Sequence, residues 1–492
     1  MKNLKDLKLL LSSSVPFIVI ETHEENRVMS LFNRLIVDVY KPLYRWTVTE
    51  GLKRLDVDKP AQFYNSKPVE LLTQIKMTKD PGIYVLIDFH PYLDDPIHTR
   101  LLKDIAIGHV DVPHTLVMVS HELKIPEELN RFCARFELSL PDRSQLDFMI
   151  RHEAKAWSIK NDNLRITADK KIINRLIENL LGLPQDDAKR LIRGAIRDDN
   201  VLDESDLSSV MRAKFELLNQ GGVLSFEYDT ARFADVGGLN RLKEWLDIRK
   251  KVFSGESKNS GLDAPKGIML LGVQGCGKSL AAKAVAGAWC IPLLRMDFGT
   301  LYNKYYGESE KNLRESLKTA EVMSPCVLWI DEIEKGISVS DNDGGTSRRI
   351  LATLLTWMAE NKSCVFIVAT ANDIESLPPE LIRKGRLDEI FFVDLPDADT
   401  RKLIFSIHIN KREQDLDLFD LDALADKSEG FSGSEIEQAV VSALYTSHAQ
   451  KTKLNTGILL HELSQTRPLS MVMAERIYNF REWAKDRTVL AN

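Results

Sequence analysis

Lys266-Gly-Ile-Met-Leu-Leu-Gly272-Val-Gln-Gly275-Cys-Gly277-Lys278-Ser279-Leu280 is the stretch on which the reading of the whole chain turns. Ile268 to Leu271 is a short apolar run with the pattern of a buried strand, and the Leu280-Ala-Ala-Lys-Ala-Val-Ala that follows is rich in helix formers. Between them stands GxxxxGK[ST], whose glycines let a loop wrap phosphates with its backbone N–H groups. Lys278 reaches the β and γ phosphates, and Ser279 offers a hydroxyl to Mg²⁺. The helix that follows points its positive dipole end at the same anion. Gly272, Val273, Gln274, Gly275, Cys276, Gly277, Lys278, Ser279 and Leu280 are therefore expected to bind nucleotide.

Downstream, Cys326-Val-Leu-Trp-Ile330-Asp331-Glu332 is a second buried-strand pattern ending in two acids. A parallel sheet that holds a nucleotide at its C-terminal edge needs acids there. Asp331 is expected to hold Mg²⁺ and Glu332 to polarise the attacking water as general base. A third run, Cys364 to Thr370, leads to Asn372, placed to orient that water. Arg383 and Arg386 then lie on a turn, where they read either as a solvated basic patch or as arginine fingers offered to a neighbouring subunit.

These residues resemble the AAA clade of the AAA+ ATPases, and further matches run almost continuously over residues 233 to 445. Phe233-Ala-Asp235-Val-Gly237-Gly238 is similar to the clade's opening motif beside the adenine, His408 to its base and ribose contact, and Gly430-Phe-Ser-Gly433 to its lid-helix motif. The wording of the three motifs is most similar to the AAA family named for hypothetical chloroplast open reading frame forty-six. The resemblance implies an ATPase using ATP and Mg²⁺, an oligomer and by family habit a hexamer. Two departures stand out: Trp357-Met-Ala-Glu360 replaces a usual Met-Asp-Gly segment, and Ser434 replaces a common alanine.

Residues 17 to 196 repeat this plan in worn form. Phe17–Glu21 takes the first-strand place, Ile83–Ile87 with Asp88 the place of the acid-ending strand, and Thr115–Ser120 that of the sensor strand. Phe136 to Leu140, before Pro141-Asp142, matches Phe391 to Leu395, and Gly182-Leu-Pro matches Gly430-Phe-Ser. The copy has no glycine loop, and Glu24 and Glu25 stand where phosphates need donors.

The expected architecture is α/β, with two AAA+-type modules, each a parallel P-loop-type sheet flanked by helices plus a helical lid, the N-terminal one degenerate. The expected boundaries are 1–204 for the degenerate module, 205–232 for a linker, 233–397 for the large ATPase subdomain, and 398–492 for the lid and C-terminal helices. In the tail, Met471, Met473, Ile477, Tyr478 and Trp483 are expected to pack. The degenerate module is assigned to docking of a protein client or adaptor, or to oligomer building. Asp88 and His90 fall short of the three or four ligands a metal site needs.

Composition narrows the function classes. An apolar fraction of 44%, with no run near the roughly 18 residues of a bilayer span, argues against a membrane protein. A net charge of -6 gives no pull toward nucleic acid, and five scattered cysteines without a CxxC pair fit the cytoplasm or a plastid stroma. No His-Glu pair completes a zinc-protease helix motif. Tyr305 and Tyr306 fall where remodelling ATPases carry an aromatic pore loop, which favours remodelling or disassembly of a protein partner. The alternative is an ATP-dependent switch or assembly factor that threads nothing, with nucleic-acid remodelling behind both.

Overall fold

The apolar runs picked out above become parallel strands, because each is buried on both faces and flanked by helices long enough to cover it. The computed structural model describes residues 2–13, 15–39, 41–56, 65–161, 164, 166–197, 201–219, 223–227, 233–253, 262–298, 308–337, 346–374, 376–383 and 385–492. They fall into two units, Met1–Ile166 with Leu180–Ile196, and Thr167–Asn179 with Arg197–Asn492.

In the first unit the strands are β1 (Phe17–Glu21), β2 (Leu43–Thr47), β3 (Gly51–Arg54), β4 (Ile83–Ile87), β5 (Thr115–Ser120) and β6 (Cys133–Arg135). They lie in the order β3-β2-β4-β5-β1-β6, all parallel except β3, which turns back antiparallel on β2. One face packs Val19, Leu86 and Met118 on Leu71 and Leu102, and the other packs Ile18, Val85 and Val117 on Leu7 and Phe32.

The second unit holds a short parallel pair, β7 (Thr167–Ala168) and β8 (Val201–Leu202), and then its main sheet. That sheet comprises β9 (Leu224–Glu227), β10 (Gly267–Gly272), β11 (Leu293–Asp297), β12 (Cys326–Asp331), β13 (Val365–Ala371), β14 (Glu389–Val393) and β15 (Val489–Leu490). Its order is β15-β14-β10-β13-β12-β11-β9, with only β9 antiparallel. Numbering the main parallel strands of each sheet along the chain gives fifth-first-fourth-third-second in both units. The two modules thus share one topology. A separate cluster of Phe405, Ile409, Leu424, Ile436, Val440 and Leu459 packs the helices expected as the lid against one another.

The repeat extends to the junction between sheet and helices. Asp142 caps the helix Arg143–Lys160 through a capping box with Gln145, and Asp397 caps Ala398–Asn410 by accepting from the Thr400 N–H. The fifth strand of the first unit lies earlier than expected, at Cys133–Arg135 rather than Phe136–Leu140. As an edge strand it has β1 as its one partner, and its pairing ends where the Phe136 N–H reaches the Val19 carbonyl at 2.9 Å.

The stretch expected as a linker carries the helix Glu204–Leu218 and β9. Met211, Phe215, Val223 and Leu224 are buried in the second unit's core, so this stretch is part of that unit. In the tail, Ile477 is buried and Trp483 packs on the core, but Met471 and Tyr478 are exposed. The helix Ala474–Ala484 buries Ile477, Phe480 and Ala484, which leaves Tyr478 on its outer face. No helix among the described residues is long and apolar enough to cross a membrane.

Candidate nucleotide-binding site

At the C-terminal edge of the second sheet, β10 gives way to the glycine loop and then to the helix Lys278–Trp289. Gly272 ends the strand at φ +142°, where an added Cβ would stand 2.0 Å from the Val393 carbonyl oxygen. Gly275 has φ +79°, and a Cβ there would meet the Ser434 hydroxyl at 2.2 Å. Glycine is therefore required both by the turn and by the close approach of the lid helix Gly433–Ala449. The Ser434 N–H donates to the Gly275 carbonyl at 3.0 Å, tying lid to loop.

A cavity of about 440 Å³ opens between loop, sheet edge and lid. Of the residues expected to bind nucleotide, Asp235, Gly237, Gln274, Gly275, Cys276, Gly277, Lys278, Ser279, Leu280, His408 and Gly433 line it, as do Asp331, Glu332 and Asn372. Gly272 and Val273 stand behind the loop, and their carbonyls accept from the Lys278 ammonium at 2.8 and 2.9 Å. Burial pushes Lys278 down to about 8, against the pull of Cys276, Glu334, Asp331 and Glu332. Burial likewise pushes the Cys276 thiol up to about 12, so the loop cysteine is a neutral thiol.

The acids are held from two adjacent strands. The Thr370 hydroxyl donates to Asp331 Oδ1 at 2.7 Å and accepts from the Glu332 N–H at 3.1 Å. Glu332 sits in the left-handed region at φ +47°, a conformation that costs a non-glycine residue about 1 kcal/mol and recurs at functional sites. Its carboxylate accepts from Asn372 Nδ2 at 3.0 Å and pairs with Lys335. The strand register thus delivers Asp331, Glu332 and Asn372 to one spot from distant parts of the chain.

Four contributors escaped the sequence reading. Thr370 orients Asp331. Arg295 on β11 pairs with Asp331 Oδ2 at 3.0 Å while stacking on the Trp329 ring at 4.8 Å. Glu334 accepts from the Asn372 backbone N–H at 2.9 Å, and burial raises its carboxyl above the usual range. Asn492 accepts from the Leu239 N–H and lines the cavity close to Gly238. Glu334 had a signal, since it lies two residues beyond Glu332, whereas the other pairings span the sheet. At the lid, burial lowers the His408 imidazole and favours its neutral form, although Glu437 lies 3.5 Å away.

Arg383 and Arg386 do not line the cavity. Arg383 is exposed, and Arg386 turns back to the Glu380 carbonyl. Among the described residues of the lining, Lys278 is the one Lys or Arg. Tyr305 and Tyr306 lie outside the described residues. Arg348 and Arg349 are exposed on the helix Thr346–Glu360.

Residues 268–395 match the model of the ATPase family associated with various cellular activities (AAA). Residues 3–138 and 144–221 match the N-terminal and second domains of SpoVK-like AAA ATPases. The AAA domain-containing protein ycf46 of Guillardia theta is 35% identical over 98% of this chain and 95% of its own. That of Pyropia yezoensis is 35% identical over 98% and 97%. The ATPase family gene 2 protein of Schizosaccharomyces pombe is 31% identical over 53% of this chain and 32% of its own.

Proposed function

Because the chain belongs to the ycf46 family of AAA ATPases, it binds and hydrolyses ATP, and we propose that it does so as an oligomer, by family habit a hexamer, that remodels or disassembles a protein partner. The observation that carries the oligomeric part is that, among the described residues, no arginine lines the cavity, and Arg295, the one that reaches Asp331, is held against that carboxylate. Phosphoryl transfer gains from a cation that meets the charge developing on the γ phosphate, and Arg383 and Arg386 do not line their own chain's cavity. They therefore serve the site of a neighbour.

Within one site, Lys278 and the loop amides receive the phosphates, while Asp235, Gly237, His408 and Gly433 enclose the base and ribose. Ser279 and Asp331 would hold Mg²⁺, a fit supported by a hydroxyl and a strand-end carboxylate lining one glycine cradle. When bound, that ion offsets phosphate charge. Asn372 orients the attacking water and Glu332 accepts its proton, and their 3.0 Å hydrogen bond keeps the two side by side. The first unit, Met1–Ile166 with Leu180–Ile196, serves as the docking surface for the protein partner.

The test is steady-state ATP hydrolysis across a wide range of protein concentrations, with sedimentation in parallel. Specific activity should rise steeply as the chains assemble, and Arg383→Ala or Arg386→Ala should lower turnover without weakening nucleotide binding. Constant activity from a sedimenting monomer would overturn the reading.

A further inference from the structure

The N-terminal module carries a cluster that the sequence alone left incomplete. Asp88 and His90 follow β4, and His121 follows β5, the neighbouring parallel strand. One potential ligand atom from each lies within 4.8 Å of the other two, and among the described residues this is the sole group of three such side chains. Asp88 is held at φ +52°, a left-handed conformation like that of Glu332 in the second module.

The Ser120 hydroxyl lies among the three ligands, 3.1 Å from Asp88 Oδ1, 2.7 Å from His90 Nδ1 and 3.4 Å from His121 Nδ1. His23, from the end of β1 on the other side of β5, stacks on His121 with ring centroids 5.6 Å apart, and His90 meets His121 edge-on at 4.8 Å. Three adjacent strands thus bring three imidazoles and a carboxylate to one sheet edge, the place where open α/β sheets take ligands.

We propose that Asp88, His90 and His121 form a binding site for a divalent transition-metal ion of the Zn²⁺ class, with His23 stacked on His121 and the Ser120 hydroxyl giving up its contacts to Asp88 Oδ1 and His90 Nδ1 as the ion takes those atoms. Two imidazoles and one carboxylate match borderline ions and leave at least one coordination position open, whereas Mg²⁺ and Ca²⁺ prefer oxygen donors alone. Asp88 Oδ1 and His90 Nδ1 are 3.9 Å apart. Bonds of about 2.1 Å place tetrahedral ligand atoms about 3.4 Å apart, so modest rotation of these solvent-facing side chains closes the site.

The experiment is calorimetric titration of Zn²⁺ into the chelator-stripped full chain, without nucleotide or Mg²⁺, with Co²⁺ absorption as a second reading. One Zn²⁺ should bind per chain and persist in Asp331→Asn, which removes the acid of the other module. The double substitution His90→Gln with His121→Gln should weaken binding by at least about 100-fold, beyond the cost of losing a supporting partner alone. His23→Ala should weaken it by about 3-fold, the worth of a ring stacked on a ligand. Equal Zn²⁺ binding by wild type and the double variant, loss of binding in Asp331→Asn, or a Co²⁺ spectrum indistinguishable from that of the aquo ion would overturn the proposal.

Discussion

The two modules run their strands in the same order, yet their sheet edges after the first strand are opposites. After β10 the chain turns through glycines and leaves a cavity with a buried Lys278. After β1 it runs Thr22-His-Glu-Glu25, and the nearly fully buried Glu24 accepts from the Gln185 and Asp186 N–H groups at 2.6 and 3.2 Å while pairing with Arg27. Those amides begin the helix Gln185–Arg197, the counterpart of the lid helix whose Ser434 N–H meets Gly275. In the first module a carboxylate therefore takes amides at a helix N-terminus, and its charge repels phosphate. The scaffold survives the loss of the site because the core lies in the strands and the chemistry in the loops between them.

The sharpest way to break this contrast is at the base. Glu332→Gln should retain nucleotide and lower kcat by about 100- to 10,000-fold, the usual worth of a positioned base, as read by single-turnover hydrolysis. Near-normal turnover would remove Glu332 from that role. Gly275→Ala comes next. Its Cβ collides with Ser434, and the φ of +79° is strained for alanine, so about 1–3 kcal/mol of nucleotide affinity should be lost in equilibrium titration.

The ammonium of Lys278 predicts a smaller effect. Its lowered value near 8 means that it is charged below that pH and loses its proton above it. Phosphate binds the protonated form, so ADP affinity should be flat below pH 8 and about 10-fold weaker at pH 9 than at pH 7. Lys278→Ala should abolish detectable ADP binding at both pH values. Smallest is Glu24→Gln, which keeps an acceptor but removes its charge. It should cost the first module about 1 kcal/mol in denaturant unfolding and create no second nucleotide site.

Much of this contrast was legible in the sequence, because strands and motif loops are local and their succession repeats. Gly272 to Ser279, Asp331 with Glu332, and Asn372 announced themselves by residue type and position. What stayed hidden depends on which strands become neighbours. Thr370 beside Asp331, Arg295 reaching it from the neighbouring strand, and His121 completing a cluster with Asp88 and His90 all follow from strand pairing. Short edge strands hid for the same reason: β9 and β15 hold 4 and 2 residues, too few for a periodic signal. Met471 and Tyr478 looked like packing residues because apolar character does not say which side of a helix faces the core.

The most direct test of the central claim, one competent nucleotide site per chain with the other closed by Glu24, is the stoichiometry of ADP binding to the full chain and to Lys278→Ala by equilibrium dialysis. The account predicts one ADP per chain in the wild type and none in the variant. Two per chain, or binding that persists in the variant, would contradict it.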